Sequence, residues 1–290
     1  MSGNKSKLIA FNYFGGKFSF IDEIYPHFPV DFTHLVDLFA GSFVVSLNYK
    51  GKVIKTANEI NEEVTNFFKV LRDRPDELLQ QLQLTPCSNA EFDNCWNTTG
   101  DDLERARSFY VRVRQSFYGM GVQRQNKGWH MAKQQCNAEG GETVSKWKNA
   151  LPKLYEVAKV IAENFQITNF NYLECIDKID FPHAFFYCDP PYPLSCRASQ
   201  NDYRFEFTDD DHIALFERLQ KIEGRAMVSS YNNDLYEKIY GNNGWTKVLL
   251  KPKKNNIRSG MVQEVIWYNY PQTEAVIAQN SLFNEIQQCG

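Results

Sequence analysis

The stretch HLVDLFAGSFVVSLNYKGKVIKTANEIN, from His34 to Asn61, decides the fold of this 290-residue chain. An apolar run from Leu35 to Phe39 leads into a Gly/Ser turn, and the following VVSLNY is typical of the start of a helix. A second short strand is predicted from Lys52 to Ala57. Strand, turn, helix and strand in this order indicate a parallel α/β sheet.

This alternation stops further along the chain and then resumes. A helical pattern follows Asn61 and breaks before Pro75, and from about Arg74 to about Glu163 helices and loops are predicted without a clear strand. After this region the sequence predicts strands in FQITNF, HAFFYC and RAMVSSY, a helix in DDHIALFERLQKI with Asp209 as its cap, and a closing hairpin of WTKVLL and QEVIWYNY. We therefore predict a sheet domain of residues 1–73 and 164–290, split by a helical insert of residues 74–163.

Composition limits the classes of protein that fit. The hydrophobic fraction of 43% supports a core, and no stretch approaches the ~18 apolar residues of a membrane span. The N-terminal MSGNKSKL lacks an apolar signal core, so we expect a cytoplasmic protein without membrane contact. The net charge of -3 means that any nucleic-acid surface must be local, and seven scattered cysteines without a Cys-x-x-Cys pair predict structural thiols and no metal site.

Three features before the insert point to a nucleoside cofactor. Gly41 follows the first strand, where a glycine lets the backbone approach a ligand closely. Glu59 follows the second strand, where acidic residues in nucleoside-binding sheets hold ribose hydroxyls. The N-terminal FNYFGGKF adds Lys17, which can pair with a carboxylate. Each feature alone also fits an ordinary turn, but together they favour a nucleoside ligand with little or no phosphate.

A further motif follows the insert, in AFFYCDPPYPLSC from Ala184 to Cys196. An apolar run ends in a carboxylate, two stiff prolines and an aromatic ring. This is either a strand with a tight turn or a rigid platform that grips a flat molecule.

In this order the motifs resemble those of the S-adenosylmethionine-dependent DNA adenine N6-methyltransferases. The similarity is greatest to the alpha group, related to the DNA adenine methylase that marks GATC, and it extends from Phe11 to about Tyr270. That family has aromatic-x-Gly-Gly-Lys, Phe-x-Gly, an acidic ribose ligand, a target-recognition insert and Asp-Pro-Pro-Tyr. The resemblance implies a Rossmann-like methyltransferase sheet, mostly parallel with a closing antiparallel hairpin, plus a helical insert domain. It also implies a bacterial or phage-encoded enzyme.

The resemblance also implies which residues bind S-adenosylmethionine, with S-adenosylhomocysteine as the product. Lys17 would lie near the methionine carboxylate, Glu59 would hold the ribose, and Asn171 with Tyr172 would face the adenine. Asn171 replaces the acid that is common in the family, and Phe43 replaces its second glycine. Phe43 either packs beneath the turn or alters how the cofactor binds. The complete implied set is Tyr13, Gly16, Lys17, Phe39, Gly41, Glu59, Asn171, Tyr172 and Asp189.

The Asp-Pro-Pro-Tyr motif fits amino-group chemistry. Asp189 and the Pro190 carbonyl can each accept one hydrogen of an exocyclic amino group, and Tyr192 can stack on the base. The prolines fix the backbone, so the acceptors are oriented before the substrate binds. The target atom is inaccessible in a duplex, so we expect the base to flip out. The motif alone also fits N4 of cytosine, and the family resemblance favours adenine.

Basic residues in two regions predict contacts with double-stranded DNA. Arg112 and Arg114 lie in a basic aromatic segment, and a polar loop between glycines carries groups suited to base edges. A second basic loop, KPKKNNIRSG, can grip phosphates. A solvated helix face and a solvated hairpin tip are the alternatives. The predicted contacts are Arg112, Arg114, Gln123, Arg124, Asn126, Lys127, Lys253 and Arg258.

We therefore predict a site-specific adenine methyltransferase acting on double-stranded DNA. The alternatives are an RNA or protein-glutamine methyltransferase on the same fold, and a catalytically weak DNA-binding relative. The recognition sequence, a cognate restriction endonuclease as partner and the oligomeric state stay open.

Overall fold

A seven-stranded sheet forms the centre of the protein. The structure is a computed structural model that describes residues 7–13, 15–97, 99–116, 128–131, 136–137, 140–197, 204–254 and 261–272. The strands of the sheet are β1 (His34–Asp37), β2 (Ile54–Asn58), β3 (Phe165–Thr168), β4 (Ala184–Cys188), β5 (Arg225–Tyr231), β6 (Thr246–Leu249) and β7 (Glu264–Tyr268).

The strand order is β3-β2-β1-β4-β5-β7-β6. Neighbours from β3 to β5 are parallel, whereas β7 is antiparallel to both β5 and β6. The order reverses between β1 and β4, where Asp37 lies opposite Tyr187. Connections leave in opposite directions at such a point, and the crevice between them is the usual ligand site of an open α/β sheet.

The predicted mixed sheet with closing antiparallel strands is confirmed. The last strand does not lie at the edge, however, because β7 inserts between β5 and β6. All five residues of β7 are buried, as expected of a strand paired on both sides. The edge strand β6 has no fully buried residue.

Helices cover the sheet and form the predicted insert. Their bounds are α1 (Ile21–Ile24), α2 (Val44–Asn48), α3 (Glu62–Asp73), α4 (Pro75–Leu84), α5 (Asn89–Asn94), α6 (Asp102–Gln115), α7 (Glu142–Asn164), α8 (Tyr172–Ile179), α9 (Asp209–Leu219) and α10 (Asp234–Ile239). The predicted break before Pro75 separates α3 from α4.

The predicted cap of α9 was wrong by one residue. Thr208, not Asp209, is the N-cap, because its hydroxyl accepts from the Asp211 backbone while the Asp211 carboxylate accepts from the Thr208 backbone. This reciprocal pair satisfies two helix-end donors, which a lone Asp at the first helical position does not do.

One apolar core joins the sheet to the helices of the predicted insert. Phe11, Phe43 and Phe67 belong to the same buried cluster as Leu154 and Ile161. The boundaries of the insert at residues 74 and 163 stay a prediction, and the helices on both sides of residue 74 share this core.

Neither a candidate membrane-spanning helix nor a candidate metal site occurs in the described part of the chain. None of its helices is both long enough and apolar enough to cross a membrane. The same residues contain no cluster of three or more metal-ligating side chains. Five of the cysteines described there form no disulfide bond, namely Cys87, Cys95, Cys175, Cys188 and Cys196, and Cys95, Cys175 and Cys188 are buried.

Candidate active site

A cavity of about 280 Å³ opens beyond the carboxyl ends of β1 to β4, at the reversal of strand order. The structure brings all nine residues of the predicted cofactor set to its wall, namely Tyr13, Gly16, Lys17, Phe39, Gly41, Glu59, Asn171, Tyr172 and Asp189. Pro190 also lines the cavity. Residues from both ends of the chain therefore converge at one site.

The turn after β1 requires a glycine at position 41. Gly41 has φ of 51°, in the left-handed region, and a Cβ there would lie 2.9 Å from Cδ1 of Tyr13. The Gly41 N–H donates to Oε2 of Glu59 at 2.8 Å. The turn is thus held by the carboxylate that was predicted to bind ribose.

Phe43 packs beneath this turn. It is the non-glycine residue with positive φ, 59°, in the described chain, and such a conformation is unusual for a bulky side chain. Its ring is fully buried and stacks on Phe68, with centroids 3.8 Å apart. Phe43 is not part of the cavity wall. The substitution of glycine by phenylalanine therefore adds core packing and leaves the cavity open.

Glu59 is buried, and both of its carboxylate oxygens face backbone donors. Oε2 accepts from Gly41 and Oε1 accepts from Asn61 at 2.9 Å. Burial raises the pKa of Glu59, and the hydrogen bonds from Asn61 and Gly41 oppose this rise. The backbone of Ile60 also interacts with this carboxylate, and since a carboxylate offers about four accepting positions, one remains for a hydroxyl.

Aromatic side chains form the end of the cavity beyond Glu59. The ring centroid of Phe39 lies 5.7 Å from that of Tyr172 and 5.5 Å from that of Phe207. Asn171 is the N-cap of α8, and its Oδ1 accepts from the Leu173 backbone at 3.0 Å. The amide that replaces the family's acid is therefore already used in a helix cap.

Lys17 and Asp189 form a buried ion pair at the opposite end. Nζ of Lys17 lies 2.7 Å from Oδ1 and 2.8 Å from Oδ2 of Asp189, and it donates to the Gly15 carbonyl at 2.9 Å. The Lys17 side chain is only 1% exposed. Burial alone would lower the pKa of Lys17, but the carboxylates of Asp189 and Glu264 outweigh burial and raise it.

Tyr192 is held from β7. Its phenol donates to Oε2 of Glu264, and the same oxygen lies 3.9 Å from Nζ of Lys17. The ring packs edge-on against Tyr231 at 4.7 Å, and Nζ of Lys17 lies 4.8 Å from the ring centroid. Burial and the Glu264 carboxylate raise the pKa of Tyr192 well above its ordinary value.

A third carboxylate, Asp37, lies between these two ends. Its Oδ2 accepts from the hydroxyl and the backbone N–H of Ser46, at 2.7 and 3.2 Å. Burial raises the pKa of Asp37 to about 7, against the hydrogen bonds from Ser46 and with help from the carboxylates of Asp189 and Glu59. Asp37, Glu59 and Asp189 thus line the same cavity with different partners.

The segment of residues 204–207 covers one side of the cavity. Arg204 pairs with Glu63 at the start of α3, and Glu63 also binds Arg112 of α6. Burial alone would raise the pKa of Glu63, but the two guanidinium groups lower it. This chain of charges connects the cavity wall to a helix of the predicted insert.

The two predicted DNA contacts on α6 both have partners within the protein. Arg112 is 8% exposed, binds Glu63 and lies 5.2 Å over the Trp96 ring. Arg114 is half-buried and donates to the Lys146 carbonyl at 3.0 Å. Arg112 is thus held within the protein in this conformation, whereas Arg114 uses one amino group and its Nε has no hydrogen-bond partner.

The other predicted DNA contacts cannot be placed. Gln123, Arg124, Asn126, Lys127 and Arg258 lie outside the described residues. Lys253 belongs to a two-residue strand, Lys253–Lys254, that pairs with Met261–Val262, and its side chain is not described. All of these stay predictions.

Two site residues, Ser229 and Glu264, are missing from the sequence prediction. The Ser229 hydroxyl donates to Oδ1 of Asp189 at 2.8 Å, and Glu264 binds Tyr192. Ser229 lies among the buried residues of β5, and Glu264 is the buried first residue of β7. A charged or hydroxyl residue inside a buried strand needs a partner, and this signal could have identified them.

Fold and site together define a class of protein. The strand order, the single reversed strand and the Asp-Pro-Pro-Tyr motif after β4 are consistent with a Rossmann-like methyltransferase. Residues 13–254 match the model of the family described as D12 class N6 adenine-specific DNA methyltransferase, and the chain belongs to this family.

Characterised relatives agree with this assignment. The type II methyltransferase M.MjaIII of Methanocaldococcus jannaschii is 26% identical, over 88% of this chain and 96% of its own length. The type II methyltransferase M.FokI of Planomicrobium okeanokoites is 26% identical, over 89% of this chain but 42% of its own length. The DNA adenine methylase of Vibrio cholerae is 27% identical, over 71% of this chain and 74% of its own length.

The family assignment decides between the substrates that the motif left open. The chain is a DNA adenine methyltransferase, so RNA, protein glutamine and cytosine N4 are set aside.

Proposed function

We propose that this chain binds S-adenosylmethionine in the cavity and methylates N6 of an adenine flipped out of double-stranded DNA at a specific short sequence. The observation that carries the proposal is that one cavity wall holds two carboxylates, Glu59 and Asp189, with different partners. Glu59 lies at an end bounded by backbone N–H groups and aromatic rings, and Asp189 lies at the end formed by the Asp-Pro-Pro-Tyr motif.

The wall fits a nucleoside cofactor. A Cβ at Gly41 would fill space against Tyr13, so the backbone can approach a ligand closely here. The remaining accepting position of Glu59 can accept from a ribose hydroxyl. Phe39 and Tyr172 offer ring surface for an adenine, and Asn171 lies beside them. S-adenosylmethionine, when bound, supplies a methyl group activated by its sulfonium.

Lys17 is proposed to hold the methionine carboxylate. Nζ of Lys17 already donates to Oδ2 of Asp189 and to the carbonyl of Gly15, and it lies 2.7 Å from Oδ1 of Asp189. A cofactor carboxylate must therefore replace one of these acceptors. The neutral Gly15 carbonyl is the weakest of the three and is the one we expect to be exchanged.

Asp189 is proposed to orient the target amino group. A carboxylate offers about four lone-pair positions. Oδ2 accepts from Lys17 alone, whereas Oδ1 accepts from Ser229 and also lies 2.7 Å from Nζ of Lys17, so Oδ2 is the less crowded oxygen among the contacts of the described residues. There Oδ2 can accept one amino hydrogen while the Pro190 carbonyl accepts the other. The nitrogen lone pair then points toward the methyl group, and such positioning can contribute ~7–11 kcal/mol.

Tyr192 is proposed to stack on the flipped base. Glu264 and Tyr231 fix the ring, so it loses little freedom when the base arrives. Flipping costs a few kcal/mol, which stacking and hydrogen bonds to the base offset.

The helical insert of residues 74–163 is proposed to recognise the DNA sequence. Its predicted base-reading loop is closed at the base by described residues, where Ser116 bridges to Trp129. The buried Gln115 accepts from the Trp129 indole at 3.1 Å, and its carbonyl accepts from His130 at 2.8 Å. This base supports a loop that carries Gln123, Arg124, Asn126 and Lys127.

The enzyme is proposed to act in the cytoplasm of a bacterium or phage-infected cell, with a cognate restriction endonuclease as partner. The support for the endonuclease is that two relatives are type II methyltransferases.

The test of the reaction is tritiated methyl transfer to unmethylated DNA, followed by base-resolution mapping. We expect N6-methyladenine at one short sequence and S-adenosylmethionine binding by calorimetry. Asp189→Ala should abolish transfer and leave DNA binding largely intact. Retained turnover in Asp189→Ala would refute the role of Asp189, and absent cofactor binding by the unaltered protein would favour a weak DNA-binding relative.

The test of DNA recognition compares single alanine variants. Arg124→Ala should relax the sequence preference, whereas Lys253→Ala should weaken binding to all sequences and reduce the salt dependence by about one phosphate contact. Lys159→Ala, an exposed lysine of α7 outside the predicted contacts, is the control. Equal effects of all three variants would argue against the assigned surface.

A further inference from the structure

A buried hydroxyl pair lies behind the catalytic motif, on the two strands that flank it. Ser229 of β5 and Tyr187 of β4 are both fully buried. Their hydroxyl oxygens are 3.1 Å apart, and Oγ of Ser229 is 2.8 Å from Oδ1 of Asp189. The parallel pairing of β4 with β5 sets these distances through the backbone.

The direction of the hydrogen bonds follows from the charge of the acceptor. In its ion pair with the Lys17 ammonium, the carboxylate of Asp189 only accepts. Ser229 has one hydroxyl hydrogen and must give it to Asp189 to make the 2.8 Å contact. Tyr187 must then donate to the Ser229 oxygen, so the relay runs from Tyr187 through Ser229 to Oδ1 of Asp189.

We propose that Ser229, supported by Tyr187, is a positioning residue that selects which carboxylate oxygen of Asp189 receives the target amino group. Oδ1 of Asp189 has two polar neighbours, Oγ of Ser229 at 2.8 Å and Nζ of Lys17 at 2.7 Å, and these fix the rotation of the carboxylate. Oδ2 keeps an accepting position on the same rigid frame. The inference rests on the proposed role of Asp189 as amino-group acceptor.

Loss of this hydroxyl has a specific consequence. Without Ser229, Lys17 still neutralises Asp189, so cofactor and DNA binding are retained. The carboxylate can then rotate, and its oxygens share the contact with Lys17 in more than one arrangement. Misplacing the acceptor affects the transition state more than the bound ground state, so the loss falls on kcat.

The experiment compares Ser229→Ala with Ser230→Ala in the full-length protein. Ser230 is the next residue of β5, is equally buried, and its hydroxyl oxygen accepts from Asn233 at 3.2 Å. We expect Ser229→Ala to lower kcat about 10- to 100-fold, the scale of one hydrogen bond to a charged group, with KM for S-adenosylmethionine changed less than about threefold. Ser230→Ala should keep kcat, and Ser229→Thr should restore most of it because it keeps the hydroxyl.

A double-mutant cycle tests the relay. Tyr187→Phe should lower kcat by a smaller factor, about two- to fivefold, and should add nothing in the Ser229→Ala background because Tyr187 acts through Ser229. Additive losses would overturn the relay. An unchanged kcat in Ser229→Ala, or a loss that Ser229→Thr does not restore, would overturn the proposal. If Asp189→Ala kept activity, the role of Asp189 itself would fail, which is a distinguishable result.

Discussion

The two ends of the cavity hold their carboxylates in different ways. Glu59 is bound by backbone N–H groups of Gly41 and Asn61, which are neutral dipoles. Asp189 is bound by the ammonium of Lys17 and the hydroxyl of Ser229. Backbone dipoles suit a carboxylate that accepts from neutral hydroxyls, whereas a full positive charge holds Asp189 in place where an amino group must be oriented.

The two sites also differ in their distance along the chain. The partners of Glu59 are two and eighteen residues away, so the cofactor end is assembled by one strand-turn-helix unit and the next strand. The partners of Asp189 lie 172 and 40 residues away. The catalytic end therefore depends on the complete fold, and substitutions there should have larger effects on stability.

The largest effect is expected for Lys17→Met. This change removes the ammonium and leaves Asp189 and Glu264 buried without their cation. Breaking a buried ion pair by removing one partner costs about 3–5 kcal/mol in the free energy of unfolding. Urea unfolding at neutral pH measures the loss.

Lys7→Met provides the matched control, because Lys7 pairs with Asp22 on the surface and both side chains are substantially exposed. An exposed pair contributes about 0–1 kcal/mol. Equal destabilisation by the two substitutions would contradict the distinction between the two kinds of ion pair.

The buried carboxylate of Asp37 extends the comparison of the cavity's carboxylates to the pH dependence of stability. Its folded pKa is about 7, against an ordinary value of 3.8, because burial disfavours the charged form. Between these values the folded protein keeps a proton that the unfolded chain has lost. The stability that the protonated Asp37 contributes to the folded state is fully present below about pH 4, and it is lost as pH rises through about 7.

The wild-type protein should therefore lose about 2–3 kcal/mol relative to Asp37→Asn between pH 5 and pH 7. Asparagine can still accept from Ser46 but does not titrate. Urea unfolding of both proteins at each pH gives the difference, and parallel pH dependences would show that Asp37 is not the group responsible.

Much of the fold could be predicted from the sequence because its signals are local. Apolar runs that end in Gly or Asp turns mark β1 and β4, and a helical period marks α3 and α7. The position of β7 between β5 and β6 could not be predicted in this way. Strand order depends on which edges pair, and a single chain carries no direct signal for that choice.

In the site, too, features with local sequence signals could be predicted, and features that depend on contacts between distant strands could not. The motif residues were predicted because each lies at the end of a strand, where parallel sheets bind ligands. Ser229 and Glu264 were missed because their importance comes from contacts between distant strands. The partner of Arg112 was missed for the same reason, since Glu63 lies on another helix.

Glu59→Gln tests the cofactor end. The amide keeps one oxygen but places an N–H₂ group against either Gly41 N–H or Asn61 N–H, and this leaves a buried donor unsatisfied. This unsatisfied donor lowers the stability of the protein by about 1–3 kcal/mol, and the loss of an accepting oxygen for the ribose hydroxyls should lower the affinity for S-adenosylmethionine about 10-fold. Glu62→Gln, an exposed neighbour in the first turn of α3, is the control for calorimetric titration. If the two variants bind S-adenosylmethionine with equal affinity, Glu59 does not contact the cofactor.

The smallest effect is expected for Asn171→Asp, and it is a gain. Aspartate caps α8 as well as asparagine does, since its oxygen can still accept from the Leu173 backbone. Its second oxygen can also accept from the cofactor's adenine amino group, in place of the asparagine N–H₂, which can only donate. One added hydrogen bond at an exposed position should tighten S-adenosylmethionine binding about two- to fivefold.

Asn171→Ala should weaken binding because it loses the cap and the acceptor together. If Asn171→Asp weakens S-adenosylmethionine binding as much as Asn171→Ala does, the side chain at position 171 does not face the adenine. The aromatic pair Phe39 and Tyr172 alone then defines that end of the cavity.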